Sequence, residues 1–378
     1  MSKKGRVLVA MSGGIDSSVA AILLMEQGYE VVGITMKTWD YDNSGSSGKE
    51  TGCCSLDSIN DARNIAVDLG FHHTILDIRN EFGDYVIDYF TDEYMNGRTP
   101  NPCVLCNTHI KWDALLKRAD KLGCQFIATG HYAKIKSKND RYYISMGRDM
   151  NKDQSYALWG ISQKNLSRTI FPLGDLEKSE IKKIAIDRGY DNLVKKSESY
   201  EICFVPDNNY RDFLKHRVDN INDKVKKGDF IDENGEIVGK HEGYPFYTIG
   251  QRKGLGLALG YPVYVTEINK TKNEVTVGTF NELQRDGMYV DKLNFMKFDS
   301  INGRMDSITK IRYNDKGSRA VLEQIDNSIK VFFGNGVNAI TPGQAAVFYD
   351  GKDVIGGGWI RSSFQQNKKE SLIKAQIK

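Results

Sequence analysis

Two hydrophobic periods divide this chain. In the first half, short apolar runs alternate with longer segments whose apolar residues recur at helical spacing. The pattern predicts strands at 7–11, 30–36, 73–78 and 125–129, and helices at 18–27, 56–69, about 85–95 and 110–122. Residues 141–146 read as a short hairpin strand, and 178–189 as a helix stopped by Gly189. Repeated strand–helix units imply a parallel sheet covered by helices on both faces, with ligands at the C-terminal strand ends. A Gly- and Ser-rich stretch, 42–49, interrupts and is expected to be mobile or ordered by a ligand.

The texture changes after Cys203. Pro206-Asp207-Asn208-Asn209 is a break, and from about Lys224 the pattern becomes short strands and turns. Asn234-Gly235 between Phe230-Ile231 and Ile237-Val238 is a hairpin signal. Predicted strands at 321–325, 329–333, 345–349 and 353–357 suggest a small barrel or sandwich. The tail from Gln365 is polar and expected to fray. At 378 residues the chain is too long for one ordinary core, which points to two or three domains.

Composition narrows the class only modestly. With 40% hydrophobic and 27% charged residues the chain reads as globular, and no apolar run approaches the roughly 20 residues of a membrane span. Met1-Ser2-Lys3-Lys4-Gly5 leads straight into the first strand, so no signal peptide is expected. A net charge of +3 permits a polyanionic partner without demanding one. Six cysteines in so long a chain read as cytosolic thiols rather than a disulfide framework.

The first strand and helix are joined by Ser12-Gly13-Gly14-Ile15-Asp16-Ser17-Ser18. A glycine turn between strand and helix points backbone N–H groups at an anion, and the helix dipole favours negative charge there. The serines add hydroxyls, and Asp16 is placed to orient a hydroxyl or hold Mg²⁺. No lysine follows the glycines, so this is not a Walker A loop, and the spacing is not that of a dinucleotide fingerprint. The bland alternative is an ordinary Gly/Ser turn.

Arg98-Thr99-Pro100-Asn101-Pro102-Cys103-Val104-Leu105-Cys106-Asn107 is the second informative stretch. The two prolines are expected to hold it out of helix until the helix after Asn107 begins, with Asn107 or Thr108 as its cap and Cys106 at its start. A thiol there would be activated by the helix dipole. The alternatives are half a zinc site or a redox pair. The other close pair, Cys53-Cys54, is badly spaced for one tetrahedral ion, and no structural metal is expected. Cys203, between a polar leader and Pro206, reads as a loop thiol, and Cys53, Cys54 and Cys124 as structural or incidental.

Taken in order, S-G-G-I-D-S, N-P-C-V-L-C-N, K-D-Q-S-Y-A-L at 152–158, I-C-F around Cys203 and T-I-G-Q-R-K-G-L-G at 248–256 closely resemble the bacterial tRNA-specific 2-thiouridylases, PP-loop ATP pyrophosphatases. The resemblance covers essentially the whole chain. It implies a Rossmann-like PP-loop catalytic domain at 1–206, a small β-rich tRNA-binding adaptor at 207–283 and a C-terminal β-barrel at 284–378. It further implies a cytoplasmic enzyme that adenylates the C2 oxygen of the wobble uridine and installs sulfur from a persulfide. Its substrates would be ATP, with Mg²⁺, and the tRNAs for Lys, Glu and Gln, and its sulfur donor a persulfide-carrying protein.

Residue by residue, the resemblance makes Cys106 the nucleophile and Cys203 the persulfide carrier, joined in a disulfide as sulfur leaves. It assigns ATP contacts to Val9, Ala10, Met11, Ser12, Gly13, Gly14, Ile15, Asp16, Ser17, Met36 and Gly130. Asn101, Pro102 and Cys103 match target-base contacts, although many relatives carry Asp where this chain has Cys103. Lys152, Asp153, Gln154, Arg312 and Tyr313 match tRNA contacts. Gln251, Arg252 and Lys253 would present cations to phosphate on a glycine-rich turn. His131 reads as a hydrogen-bonded structural residue rather than a catalyst.

Overall fold

Strand β1 (Arg6–Ala10) is apolar along its length because both its faces are covered, and Val7, Leu8 and Val9 have no exposed surface. It is the middle strand of a five-stranded parallel sheet in the computed structural model, which describes residues 4–39, 55–196, 202–205 and 209–365. Expectations about the 42–49 loop, Cys53, Cys54, the polar leader before Cys203, the break at 206–208 and the tail beyond Gln365 lie outside those residues. The chain divides into two units, 1–89 with 102–217 and 352–355, and 90–101 with 218–351 and 356–378.

In the first unit, β1 is followed by β2 (Glu30–Lys37), β3 (His72–Asp77), β4 (Phe126–Thr129), the hairpin β5 (Ala133–Lys138) and β6 (Arg141–Met146), and the two-residue β7 (Thr169–Ile170). The sheet order is β3-β2-β1-β4-β7, with all four pairings parallel. The order reverses between β1 and β4, which opens a crevice beyond their C-terminal ends. Helix α1 (Ile15–Glu26) packs its Val19, Ala20, Ala21 and Leu24 into the core beneath that crevice. Helix α2 (Leu56–Asp68) starts at Ser55, whose hydroxyl accepts from the Ser58 N–H at 3.2 Å.

The stretch around the paired cysteines differs from expectation. Helix begins at Pro102, not beyond Asn107, and runs through Pro102–Leu105, a wider π-helical stretch Cys106–Lys111, and Trp112–Lys121. Proline breaks a helix interior, but at the first helical position its missing N–H is one that would be unpaired anyway. Cys106 therefore lies a full turn inside the helical run, and the dipole argument for its thiol does not hold. Cys103 occupies the first turn instead.

In the second unit, β8 (Gly228–Ile231), β9 (Ile237–His241), β10 (Tyr264–Asn269) and β11 (Glu274–Gly278) form a sheet ordered β10-β11-β8-β9. The predicted Asn234-Gly235 turn joins β8 to β9, with Gly235 at φ +85° and Asp232 accepting from the N–H groups of Asn234 and Glu236. Next come β12 (Gln284–Phe295), β13 (Arg304–Lys310), β14 (Ser318–Ile325), β15 (Ser328–Asn338), β16 (Ala345–Asp350) and β17 (Asp353–Phe364). Their order is β12-β15-β14-β13-β16-β17, and β17 pairs back onto β12, closing a six-stranded barrel without free edges. Phe348, Val331 and Leu322 fill it, each fully buried.

Candidate functional site

The loop after β1 is shaped by what cannot be there. Gly13 has φ +72°, and a Cβ on it would lie 2.0 Å from the Ser58 carbonyl oxygen of α2. Gly14 supplies the extended residue before α1. The Ser17 hydroxyl donates to the Gly14 carbonyl at 3.0 Å and accepts from the Ser12 N–H at 3.1 Å, while Ser18 also donates to Gly14 at 2.9 Å. Those two buried hydroxyls hold the loop's shape; the Ser12 hydroxyl is exposed.

Two strand ends complete the cradle. A Cβ on Gly130, after β4, would sit 2.8 Å from the Ser17 nitrogen. At β2, Thr35 donates to the Met11 carbonyl at 2.9 Å and lies 2.9 Å from His73 Nε2. The single hydroxyl proton is committed to Met11, so Nε2 carries the ring proton. Burial, with Arg63 and His72 nearby, pushes the His73 pKa down and keeps that ring neutral. Met36, at the end of β2, is half-buried rather than core.

Asp16, in the first turn of α1, is already engaged. Lys178 Nζ lies 2.8 and 2.9 Å from its two oxygens, and the Tyr132 hydroxyl donates to Oδ1 at 2.6 Å. The sequence reading missed both partners; its one available signal was a lysine opening the helix Lys178–Asp187, against that helix's dipole. For Mg²⁺ the loop offers one carboxylate, which suits an ion held mainly by substrate phosphates. Among the described residues, no group of three or more His, Cys, Asp or Glu side chains is arranged to hold a metal.

Cys103, Cys106 and Asn107 are i, i+3 and i+4 of one helical run and share a face. Cys106 and Asn107 are buried, and the Asn107 amide donates to the Ala157 carbonyl at 2.9 Å. Cys103 keeps open surface, yet enough protein surrounds its thiol that desolvation raises its pKa, with Lys111 pulling the other way. Burial, reinforced by Lys111, pushes His131 down to about 3, so its ring is neutral, and Thr129 Oγ1 lies 2.7 Å from its Nδ1. Cys203 is exposed on a turn closed by the Val205 N–H to the Ile202 carbonyl. The turn is anchored by fully buried Phe204, whose ring stacks edge-on between Phe82 and Phe213.

The remaining predicted contacts separate by what their side chains already do. Asp153 is buried, accepting from Gly147 N–H and the Ser155 hydroxyl, and Gln154 accepts from Tyr132 N–H; Lys152 is half-buried. Gln251 closes its own turn by accepting from Thr248 N–H and donating to the Lys253 carbonyl. Arg252 and Lys253 beside it are exposed, as are Arg312 and Tyr313. In the second unit, the Gln344 amide donates to the Pro100 carbonyl at 2.7 Å and Thr99 N–H to Pro342, pinning the approach to Asn101.

These features define a PP-loop ATP-using domain followed by two β domains. A family model described as a tRNA methyl transferase HUP domain matches residues 5–207, a tRNA methyl transferase PRC-barrel domain 211–279, and an aminomethyltransferase β-barrel domain 285–360. The chain is 71% identical to the tRNA-specific 2-thiouridylase MnmA of Amoebophilus asiaticus, over 96% of this chain and 97% of that one. It is 67% identical to the protein of that name from Cytophaga hutchinsonii, over 97% and 100%, and 57% identical to that of Salinibacter ruber, over 95% of each. The chain belongs to the tRNA-specific 2-thiouridylase family, a family of enzymes.

Proposed function

We propose that this protein thiolates C2 of the wobble uridine of tRNA at the expense of ATP, giving 2-thiouridine, AMP and pyrophosphate. The observation that carries the reading is one domain holding both an intact Ser12–Ser17 loop and the thiols Cys106 and Cys203. Chemistry at C2 needs both halves. Oxygen is a poor leaving group until adenylated, and a sulfur nucleophile must then be delivered.

In this reading the loop N–H groups and α1 hold the phosphates, and Val9, Ala10, Met11, Ile15, Met36 and Gly130 line the nucleotide. The C2 oxygen attacks the α-phosphorus and pyrophosphate departs. Cys203, loaded as a persulfide by a donor protein, attacks C2 with its terminal sulfur and AMP leaves. The Cys106 thiolate then attacks the Cys203 sulfur, which frees the thiolated base and leaves a Cys106–Cys203 disulfide for an external dithiol to reduce. Exposure of Cys203 suits loading by another protein, and burial of Cys106 suits a thiol kept from premature oxidation.

The base is extruded to reach the site and meets Asn101, Pro102 and Cys103. Lys152, Gln251, Arg252, Lys253, Arg312 and Tyr313 serve the RNA, with Asp153 and Gln154 shaping the turn behind Lys152. The substrates are the tRNAs for Lys, Glu and Gln, with Mg²⁺ accompanying ATP, and the compartment is the cytoplasm. Among the described residues no helix is long and apolar enough to cross a membrane. The domain limits are 1–206, 207–283 and 284–378.

The test is incubation with ATP, Mg²⁺, unmodified tRNA and a persulfide donor, reading 2-thiouridine by mass spectrometry together with AMP. Cys106→Ser and Cys203→Ser should each abolish thiolation. AMP without sulfur in the RNA would remove the thiolase reading. Methylated base on adding a methyl donor would favour the activity worded in the family models.

A further inference from the structure

The loop after β1 contains no lysine, although it is built for polyphosphate. The fold brings one there from a helix more than 150 residues later. Lys178 opens the helix Lys178–Asp187, and its ammonium reaches both oxygens of Asp16 in the first turn of α1. We infer that Lys178 binds the β- and γ-phosphates of ATP, and that Asp16 holds it in place until they arrive. This rests on the ATP reading of the loop.

The pair is poorly explained as a structural tie. Lys178 stands at the N-terminal ends of two helices, α1 and its own, where positive charge is disfavoured and negative charge welcome. Its side chain is 11% exposed, so an ammonium has been desolvated and a long side chain ordered. The two helices are already joined through Ala20, Ala21, Ile181 and Ala185 in a common apolar core. Replacing the pair with apolar residues would join them as well.

The surroundings suit an exchange of partners. The Asp16 side chain is 32% exposed, so solvent and ligand can reach it. The Tyr132 hydroxyl also donates to Asp16 at 2.6 Å, so the carboxylate stays hydrogen-bonded when the lysine turns to phosphate. The Tyr132 ring lies 5.9 Å from the ammonium and offers it a face throughout. A fixed cation at the β-phosphate would also stabilise charge as pyrophosphate departs. Asp16, released, becomes a carboxylate for the ion that travels with ATP.

A purely structural Lys178 would affect all nucleotides alike, so the discriminating quantity is the ratio of ATP to AMP affinity. Calorimetric titration of the full chain should show Lys178→Gln losing about 10- to 100-fold for ATP, with AMP affinity changed less than about threefold. Lys178→Arg should recover most of the ATP affinity. Equal weakening of ATP and AMP in Lys178→Gln would overturn the inference. A second titration uses the parent chain in chelator, and so does not depend on the variant folding. ATP should still bind at least about fivefold more tightly than AMP, because the protein supplies a cation of its own; equal affinity would overturn the inference. A parent that binds neither nucleotide would instead remove the ATP reading itself.

Discussion

Gly130 and Ser17 leave no room between them: a Cβ on Gly130 would meet the Ser17 backbone nitrogen at 2.8 Å and the Asp16 carbonyl carbon at 2.8 Å. The end of β4 thus presses directly on the first turn of α1, and both obstacles are backbone atoms that no side-chain rotation can move aside. Gly130→Ala should shift α1 away from β4, destabilise the fold by about 1–3 kcal/mol and weaken ATP binding at least about tenfold. Denaturant titration and nucleotide titration read the two effects separately. A variant that binds ATP as the parent does would show that the contact does not set the loop.

Phe204 fixes the position of the thiol beside it. Its ring is 1% exposed and sits 5.7 Å from Phe82 and 5.4 Å from Phe213, while Cys203 stays open to solvent. Phe204→Ala should cost about 3–5 kcal/mol if the cavity does not collapse. It should also slow sulfur transfer at full persulfide loading, as read by mass spectrometry of the Cys203 peptide. Phe204→Leu should recover most of both. Transfer at the parent rate from a destabilised Phe204→Ala would show that the anchor does not position the thiol.

Much of this architecture was legible because it follows from periodicity. The run 7–11, the helix opened by Lys178 and the Asn234-Gly235 turn each carry a local pattern that only one element satisfies. Periodicity alone left the last strands as a barrel or sandwich; the family resemblance implied the barrel, and the β12–β17 pairing, between residues some seventy positions apart, closes it. The helix start at Pro102 was misread because proline's effect depends on position along the helix, not on its presence. Lys178 and Tyr132 were missed for another reason. The only local hint was a lysine at a helix start, and nothing local marks Tyr132; their meeting on Asp16 is made by the tertiary fold.

His131 gives a pH signature with a definite sign. Desolvation, with Lys111 adding, lowers its pKa from 6.5 to about 3. Between those values the unfolded chain binds a proton that the fold refuses, so stability falls as pH falls below 6.5. By pH 5.5 the loss from this residue should be about 1 kcal/mol. His73 and His241 are also held low by burial, so parent and His131→Gln must be compared. Urea midpoints at pH 7.5 and 5.5 should draw apart less in the variant. An equal loss in both proteins would mean that His131 titrates normally in the fold.

Arg252 and Lys253 test the RNA contact proposed for the turn. Gln251 fastens that turn through Thr248 and Lys253 backbone atoms, which leaves the two cations exposed on a fixed support. Among the described residues neither forms an ion pair, so their removal leaves no buried charge uncompensated and should barely alter stability. If they neutralise phosphates, Arg252→Ala and Lys253→Ala should each weaken tRNA binding. The slope of log affinity against log salt should then fall by about 1 per substitution. The weakening should be the same for tRNA with and without a wobble uridine, since phosphate contacts position the RNA without reading its sequence. Filter binding at four salt concentrations gives slope and intercept together. Unchanged slopes with reduced affinity would place these side chains near the RNA without phosphate contact, and unchanged affinity would remove the turn from the interface.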